Sequence, residues 1–546
     1  MKFIKLLFAE AGDGRTRLLL ISILPGIVMA VVIALVTTVS NNSNSEELHV
    51  VEMGFFVLGC ATVLFTMNRA LNAMTALVSG FLDRTRQSIA QQVRRLDLTA
   101  YERIGPTRIN EAVGRDLQTI DETAPAVVAL IYFVMQLVAS ALYIGYLSVL
   151  AFGVTLVCFA AAAYFYRRSY TDAEDLWKAA TASESAFRLS LDHLLAGFRE
   201  VKLNARRSDD LFANYIVARS HEVERLRVES GRGFNRGQTV SDIFFYALMG
   251  AIVFAIPHYV SEASVPSKIT LVIVFSSGAI GSIIRTLPMV ARANVAVESL
   301  HRLEQDLAAA TPAAPNGNTQ GDAAIFDSLN ARALTYTYTD PAGGPAFSVG
   351  PCDFQLTAGE TVFIVGGNGS GKSTLIKLLT ALYEPDSGSI RWDGTPVTGA
   401  NVEAYRSLFT VIFADFHLFD RLYGIDEVDH AALQRLLVDM RLDDKVSFQD
   451  GRFSTTDLSS GQRKRLAMVV SRLENRPICI FDEWAADQDP EFRKYYYEVL
   501  LPELKAEGRA VIAITHDDRY FHFADRLVWM DEGQITRVEK TGVEFA

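Results

Sequence analysis

A chain that carries Gly366-Gly367-Asn368-Gly369-Ser370-Gly371-Lys372-Ser373-Thr374 can fold around that stretch in very few ways. The spacing is G-x-x-x-x-G-K-[S/T], which requires a buried strand leading in and a helix leading out. Val362 to Val365 supplies the apolar strand, and LIKLLTAL from Leu375 onward supplies good helix formers. The glycines let backbone N–H groups turn towards a β-phosphate, Lys372 neutralises the β- and γ-phosphates, and the Ser373 hydroxyl is offered to Mg²⁺. A bound phosphate would then lie at the positive end of the following helix.

The rest of the chain is too apolar for a purely soluble protein of 546 residues, with 50% hydrophobic side chains and a mean hydropathy of +0.17. Apolar runs lie at 18–39, 53–76, 126–145, 147–166, 243–260 and 268–290. These predict six membrane spans. The first could be read as a signal peptide, but it is longer than a typical apolar signal region and SNNSNS after it offers no small-residue cleavage site, so an uncleaved span is preferred. The loop 40–52 carries Glu46, Glu47 and Glu52 and no Lys or Arg, whereas 83–123 carries Arg84, Arg86, Arg94, Arg95, Arg103, Arg108 and Arg115. The arginine-rich side is therefore assigned to the cytoplasm, and both termini with it. The two long inner segments read as helical extensions of the spans, because apolar residues recur at helical spacing through AFRLSLDHLLAGFREVKLN. Their turns are expected near Ile104 to Arg108, and around Glu174 to Ala182 or at the other end of that segment, as contacts for the C-terminal part or as solvated hairpins.

Residues 309–323, AATPAAPNGNTQGDA, have the Pro/Gly content of a linker and no apolar period. The domains are thus read as a transmembrane part at 1–308, the linker at 309–323 and an α/β nucleotide domain at 324–546, where short apolar strands alternate with helical patterns. The first 310 residues are close to electroneutral, so the net charge of −11 is carried by the C-terminal part. An acidic module of this kind excludes nucleic acid as a partner, since that affinity needs clustered Lys and Arg. Cys60, Cys158, Cys352 and Cys479 are scattered without metal-ligand spacing, which implies neither a disulfide framework nor a zinc site.

Beyond the phosphate loop, the strand ICIF ends in Asp482 and Glu483, suited to holding Mg²⁺ through water and to polarising an attacking water. Taken alone, a strand ending in two acids is as readily a turn carboxylate pair. VIAITHDDRY places His516 at the end of another apolar strand, where it could sense a γ-phosphate, although an isolated His is commonly structural.

Together these residues resemble the ATP-binding cassette superfamily along the whole chain. Leu458-Ser459-Ser460-Gly461-Gln462 is similar to the family signature LSGGQ, Ala486-Asp487-Gln488-Asp489 occupies the D-loop position, His516 resembles the switch histidine, and Tyr338 matches the aromatic that stacks on adenine. The resemblance implies an all-α six-helix transmembrane domain of exporter type fused to an α/β P-loop domain. It also implies Glu483 and His516 as catalytic residues, with Ser373, Asp482 and Asp415 as candidate oxygen ligands for Mg²⁺. ATP would be held by Tyr338, Gly366, Asn368, Gly369, Ser370, Gly371, Lys372, Ser373 and Thr374 of one chain. Ser459, Ser460, Gly461 and Gln462 of a second chain would close on it, so one cassette per chain implies a homodimer. The segments ERIGPTRINEAVGRDL and LAGFREVKLNARRSDDLF are similar to the two intracellular loops of exporters.

The chain departs from that pattern where the family usually has a Mg²⁺-binding glutamine. It reads VIFADFHLFD, which puts Ala414 at that position with Asp415 beside it, either as a substitute oxygen ligand or leaving the ion an extra water. ADFHLF and DEWAADQDPEF resemble the cyclic-peptide exporter branch of bacterial ABC transporters, the group of pyoverdine-type, syringomycin-type and microcin exporters. That implies ATP-driven export of a cyclic, lasso-like or siderophore-type peptide cargo across the bacterial inner membrane. Export of a lipid or hydrophobic drug, and a membrane-anchored ATPase that moves nothing, are the alternatives. Arg285, deep in the sixth span, should face protein or water, as a cargo contact, an interhelix partner or a snorkelling side chain. Tyr164, Phe165 and Tyr166 read as an aromatic belt at the lipid interface rather than a ligand box.

Overall fold

In the computed structural model, which describes residues 2–41, 49–259, 264–311, 326–339, 344–425 and 427–541, six helices are long and apolar enough to cross a membrane. They are Arg15–Ser40, Val50–Arg94, Pro106–Leu147, Val149–Ala196, Ala205–His258 and Val265–Ala310. Each apolar run of the sequence coincides with one of them to within two residues: the fourth helix begins at Val149 where 147 was expected, and the fifth closes at His258 where the run was read to 260. The helices after the first hold 42 to 54 residues, and at about 1.5 Å per residue even 42 residues reach roughly 60 Å, twice the ~30 Å hydrocarbon thickness. The charged ends, such as Asp83 to Arg94 and Arg167 to Ala196, are therefore helical continuations beyond the bilayer rather than loops. Exposed apolar side chains along the second and fourth spans, among them Phe55, Leu58, Leu64, Phe65, Leu156 and Val157, present surface suited to lipid. Of the linker expected at 309–323, the part from 312 onward lies outside the described residues, and so do 42–48 and 260–263 of the loops between spans.

Small residues set how closely these helices approach. A Cβ on Gly26 would stand 2.5 Å from the Tyr132 carbonyl oxygen of the third span, and one on Gly233 would stand 2.7 Å from Ala173 Cβ of the fourth. Ser230 Oγ donates to the Ala173 carbonyl at 2.8 Å along that second seam. The Gly26 contact follows the small-residue packing of membrane helices, where lipid supplies no hydrophobic drive and close van der Waals approach does; the Ala173 seam carries the same close approach into the charged helical extensions. The second long helical hairpin turns at the short helix Phe198–Leu203, between Gly197 and Asn204. Glu174 to Ala182 lies within the unbroken Val149–Ala196 helix, so of the two turn positions expected there the far end is the one observed. Gly105, with φ 82°, and Pro106 break the first long hairpin.

Packing divides the chain into one unit of residues 1–94 and 104–309 and a second of 95–103 and 310–546. The second unit is built on two sheets. β1 (Ser328–Thr339), β2 (Pro345–Thr357), β4 (Ser387–Trp392) and β5 (Thr395–Pro396) form an antiparallel sheet in the order β2-β1-β4-β5. β3 (Thr361–Val365), β6 (Phe409–Ile412), β9 (Ile478–Asp482), β10 (Ala510–Ile514), β11 (Arg526–Asp531) and β12 (Gln534–Lys540) form the other, in the order β12-β11-β3-β10-β9-β6. All its pairs are parallel except β11 with β12. β7 (Phe448–Gln449) and β8 (Arg452–Phe453) make a small separate hairpin.

Strands β3, β9 and β10 are buried throughout, as unbroken apolar runs in a parallel sheet should be. Their alternate side chains feed two cores. Phe363, Phe481, Val511 and Ala513 pack with Trp484 and Tyr496, while Val362, Ile364, Ile480 and Ile512 pack with Leu375 and Leu379. The register pairs Ile364 with Ile514 and Ile514 with Asp482, so the carboxyl ends of β3, β10 and β9 lie side by side. In such sheets a ligand binds just beyond those ends.

Candidate functional site

The loop between β3 and the helix Lys372–Leu379 has the shape its glycines require. Gly369 and Gly371 adopt φ of 80° and 97°, and a Cβ on Gly366 would collide with the Met530 carbonyl oxygen at 2.2 Å. Beside the loop lies a cleft of about 520 Å³ lined by Phe347, Ser348, Gly367, Asn368, Gly369, Ser370, Asp531 and Glu532. Lys372 curls over the loop, its Nζ donating to the carbonyls of Gly366 at 2.9 Å and Gly367 at 2.7 Å. Burial holds the lysine's pKa below its ordinary value, against the opposing pull of Glu483 and Asp482. Ser370 Oγ is buried with no partner among the described residues, an orphan hydroxyl inside a loop suited to phosphate.

At the strand ends, Ser373 Oγ donates to Asp482 Oδ2 at 3.0 Å. Burial raises the Asp482 carboxyl above the usual carboxylate range and the charge of Glu483 adds to the rise, while the bonds from Ser373 and the Ala414 backbone N–H oppose it. This hydroxyl and carboxylate are hard oxygen donors beside the phosphate loop. They fit Mg²⁺, which takes one or two protein oxygens and completes its shell with nucleotide phosphates and water. Among the described residues no group of three or more His, Cys, Asp or Glu could hold a metal by itself.

Glu483 follows Asp482 in left-handed backbone, φ 51° and ψ 35°, with its N–H donating to the Ile514 carbonyl at 3.2 Å. That conformation turns its carboxylate towards the end of β10, where His516 Nε2 lies 3.3 Å from Glu483 Oε1. Two residues separated by 33 positions are thus brought together as a carboxylate and an imidazole at the mouth of the site. Tyr338 lies edge-on to Tyr336 at 5.1 Å and beside Phe347 of the cleft at 6.5 Å, with its hydroxyl 3.1 Å from Thr374 Oγ1.

Ser460 starts the helix Ser460–Glu474, capped by Ser459, whose Oγ accepts from the Gln462 N–H while the Gln462 side chain accepts from the Ser459 N–H. Ser459 and Ser460 are exposed, and neither they nor Gly461 and Gln462 line the cleft beside the loop. Asp415 is exposed in the turn after β6, and at this place it is the Ala414 N–H that reaches the Asp482 carboxylate.

Several residues of the site were not singled out in the sequence. Tyr383, 1% exposed, stacks on Tyr336 at 4.6 Å and donates its hydroxyl to Glu102 Oε2 at 2.7 Å. Lys377, on the helix after the loop, donates to the same carboxylate at 3.3 Å. Glu102 is carried by the helix Leu98–Ile104, and no local pattern links it to a tyrosine 281 positions away. Lys464 is buried in the charged run Arg463-Lys464-Arg465, and a signal for it did exist. Helical phase puts Lys464 on one face with Ser460, Met468 and Ser471, of which the last two are buried.

Comparison with known proteins bears on the same residues. The family model described as ABC transporter matches residues 349–486. "ATP-binding protein SyrD" of Pseudomonas syringae pv. syringae is 30% identical over 535 residues, covering 96% of this chain and 94% of the relative. An "ATP-dependent lipid A-core flippase" of Saccharophagus degradans is 32% identical over 209 residues, about a third of each chain at 35% and 35%. Among solved structures, a bacterial Atm1-family ABC exporter with ATP bound shares the fold with a TM-score of 0.74 at 17% identity, over 97% of this chain and 95% of that one.

Proposed function

Because the chain belongs to the ABC transporters, as a half-transporter of the exporter type with an ATP-hydrolysing cassette, we propose that it expels a cyclic, lasso-like or siderophore-type peptide from the bacterial cytoplasm. It does so across the inner membrane, as a homodimer embedded in lipid with both termini cytoplasmic. Residues 1–308 then serve as the transmembrane domain, 309–323 as the linker and 324–546 as the cassette. The observation that carries this reading is likeness along the full chain to SyrD, together with the ADFHLF and DEWAADQDPEF segments that resemble the cyclic-peptide exporter branch. The matched stretch of the lipid A-core flippase is 209 residues long, too short to include all six spans between Arg15 and Ala310. Lipid export is accordingly the second reading.

The geometry supports the following roles for the cassette residues. The loop's N–H groups and Lys372 bind the phosphates, with Lys372 exchanging the carbonyls of Gly366 and Gly367 for phosphate oxygens. Mg²⁺, when bound, neutralises charge developing on the phosphates, and Ser373 and Asp482 are the residues that would hold it. Glu483 polarises the attacking water, and His516, within hydrogen-bond reach of it, orients that carboxylate and senses the γ-phosphate. Tyr338 supports the adenine. One phosphate loop and one signature segment, Ser459 to Gln462, in each chain support a second copy completing each site, as the exporter resemblance implies.

The test is comparative metabolite analysis of medium and cytosol from cells with the intact protein and with Glu483→Gln. A peptide that leaves wild-type cells and builds up inside the mutant is expected. Retention of a lipid with no change in any peptide would overturn the cargo, and hydrolysis by Glu483→Gln at the wild-type rate would overturn the role of Glu483.

A further inference from the structure

Glu483 is followed in the chain by Trp484-Ala485-Ala486-Asp487-Gln488-Asp489, and this segment is clasped to the helix Ser460–Glu474 by a set of polar contacts centred on one lysine. Lys464 is 5% exposed. Its Nζ donates to the backbone carbonyl of Glu483 at 2.7 Å and pairs with Asp487 Oδ2 at 2.7 Å. Its own carbonyl accepts from Trp484 Nε1 at 2.8 Å. One helical turn nearer the N-terminus, Gln488 Nε2 donates to the Gly461 carbonyl at 3.1 Å, and a Cβ on Gly461 would meet the Asp487 carbonyl oxygen at 2.7 Å.

Two features make the Lys464 contact more than a filled space. A buried ammonium needs partners, because an unpaired charge away from water is strongly unfavourable, and both partners here belong to the segment beginning with Glu483. The carbonyl that receives it is that of a non-glycine residue in left-handed backbone, φ 51°, a conformation that persists only where the surroundings hold it. The peptide N–H of Glu483 is held by Ile514 on the sheet and its C=O by Lys464 on the helix. Those two bonds fix the direction in which its carboxylate leaves the chain.

We propose that Lys464 is the positioning residue for Glu483: it locks the left-handed backbone that aims the Glu483 carboxylate and links that aim to the helix begun by Ser460 and Gly461. The inference rests on the role assigned to Glu483 above and adds a consequence to it. A nucleotide phosphate seated against Ser460 and Gly461 by a second copy would press on a helix whose fifth residue grips the water-polarising residue's own peptide. Occupancy of one composite site is then felt at the glutamate of the chain that donates the signature.

The experiment uses full-length protein in lipid nanodiscs, measuring kcat and KM for MgATP and the affinity for a fluorescent ATP analogue. Lys464→Met keeps the volume and removes the donor; a loss of about ten- to hundredfold in kcat with KM and analogue affinity within about twofold is expected. Asp487→Asn leaves the bond to the Glu483 carbonyl and should keep kcat within about threefold of wild type, and Lys464→Arg, a longer cationic donor, should recover most of the lost rate. If Lys464→Met does not fold, Lys464→Gln is read in its place, with the same split expected because its side chain is one atom shorter. Wild-type kcat in that variant, or kcat and nucleotide affinity falling together, overturns the proposal. Glu483→Gln is assayed alongside: if it is inactive while Lys464→Met turns over normally, only the positioning role fails. If Glu483→Gln is active, the assignment of Glu483 itself fails.

Discussion

Replacing Glu102 by alanine removes the acceptor of a buried tyrosine hydroxyl, and the resulting loss of stability can be worked from the contacts. Tyr383 is 1% exposed and donates to Glu102 Oε2 at 2.7 Å, while its oxygen accepts from Lys377 Nζ at 3.0 Å. Without the carboxylate the hydroxyl loses its charged acceptor and keeps only the neutral Tyr338 oxygen, and a hydrogen bond to a charged group contributes about 1.5–3 kcal/mol. The Lys377–Glu102 ion pair adds little, about 0–1 kcal/mol, because Glu102 is 44% exposed and well screened. Glu102→Ala should therefore destabilise the cassette unit by about 2–4 kcal/mol, which for a unit of this size lowers Tm by roughly 5–15 °C. Tyr383→Phe should cost less, since Glu102 keeps Lys377. Calorimetric unfolding of the two single variants and the double variant closes a thermodynamic cycle, with a coupling of about 1–2 kcal/mol expected between the two positions. A coupling below about 0.5 kcal/mol would show that the two side chains do not act together and would refute the reasoning.

Two further outcomes follow from the site. Lys372→Ala chains mixed with Ser460→Arg chains should recover at most one working site per heterodimer, whereas each variant alone is inactive; ATPase titration across mixing ratios checks this, and a fully active monomer in lipid would contradict it. Asp415→Ala should lower transport into inverted vesicles several-fold more than it lowers ATP binding, about 1 kcal/mol of coupling, and unchanged transport would make Asp415 an ordinary surface carboxylate.

The parts of this molecule that were legible in the sequence are those whose physics is local. The apolar runs prescribe membrane helices because a continuous apolar segment of about 20 residues satisfies its backbone polar groups in hydrocarbon within itself only as a helix. The loop from Gly366 to Thr374 prescribes its strand, turn and helix because the positive φ angles at Gly369 and Gly371 are open to few other residues. The meeting of Asp482, Glu483 and His516 was half legible: each stood at the end of an apolar strand, but only the parallel register of β9 and β10 aligns those ends. Where the second long hairpin turns was ambiguous, since Glu174 to Ala182 and Gly197 to Asn204 both mix charged with apolar side chains; Gly197, together with the Asn204 side chain that caps the next helix, decides it. Lys464 was masked by its neighbours, because Arg463-Lys464-Arg465 reads as a solvated charged run; helical phase with Met468 and Ser471 marks the middle member as the inward one, but not the groups it meets there. The grouping of 95–103 with the C-terminal unit depends on contacts across hundreds of residues, about which local periodicity carries no information.

That last grouping bears on how such chains can be recombined. Leu98 packs against the core formed by Leu334, Leu375 and Tyr383, and Glu102 closes the hydrogen bond of Tyr383. A cassette cut at the linker and grafted onto another membrane domain would leave behind a piece of its own interior: an apolar seat open to water and a phenol stripped of its carboxylate partner. Exchange of ATPase domains among relatives of this chain is thus a matter of matching two separated stretches of sequence, and chimeras should succeed when the donor of the cassette also donates the nine residues from Arg95 to Arg103.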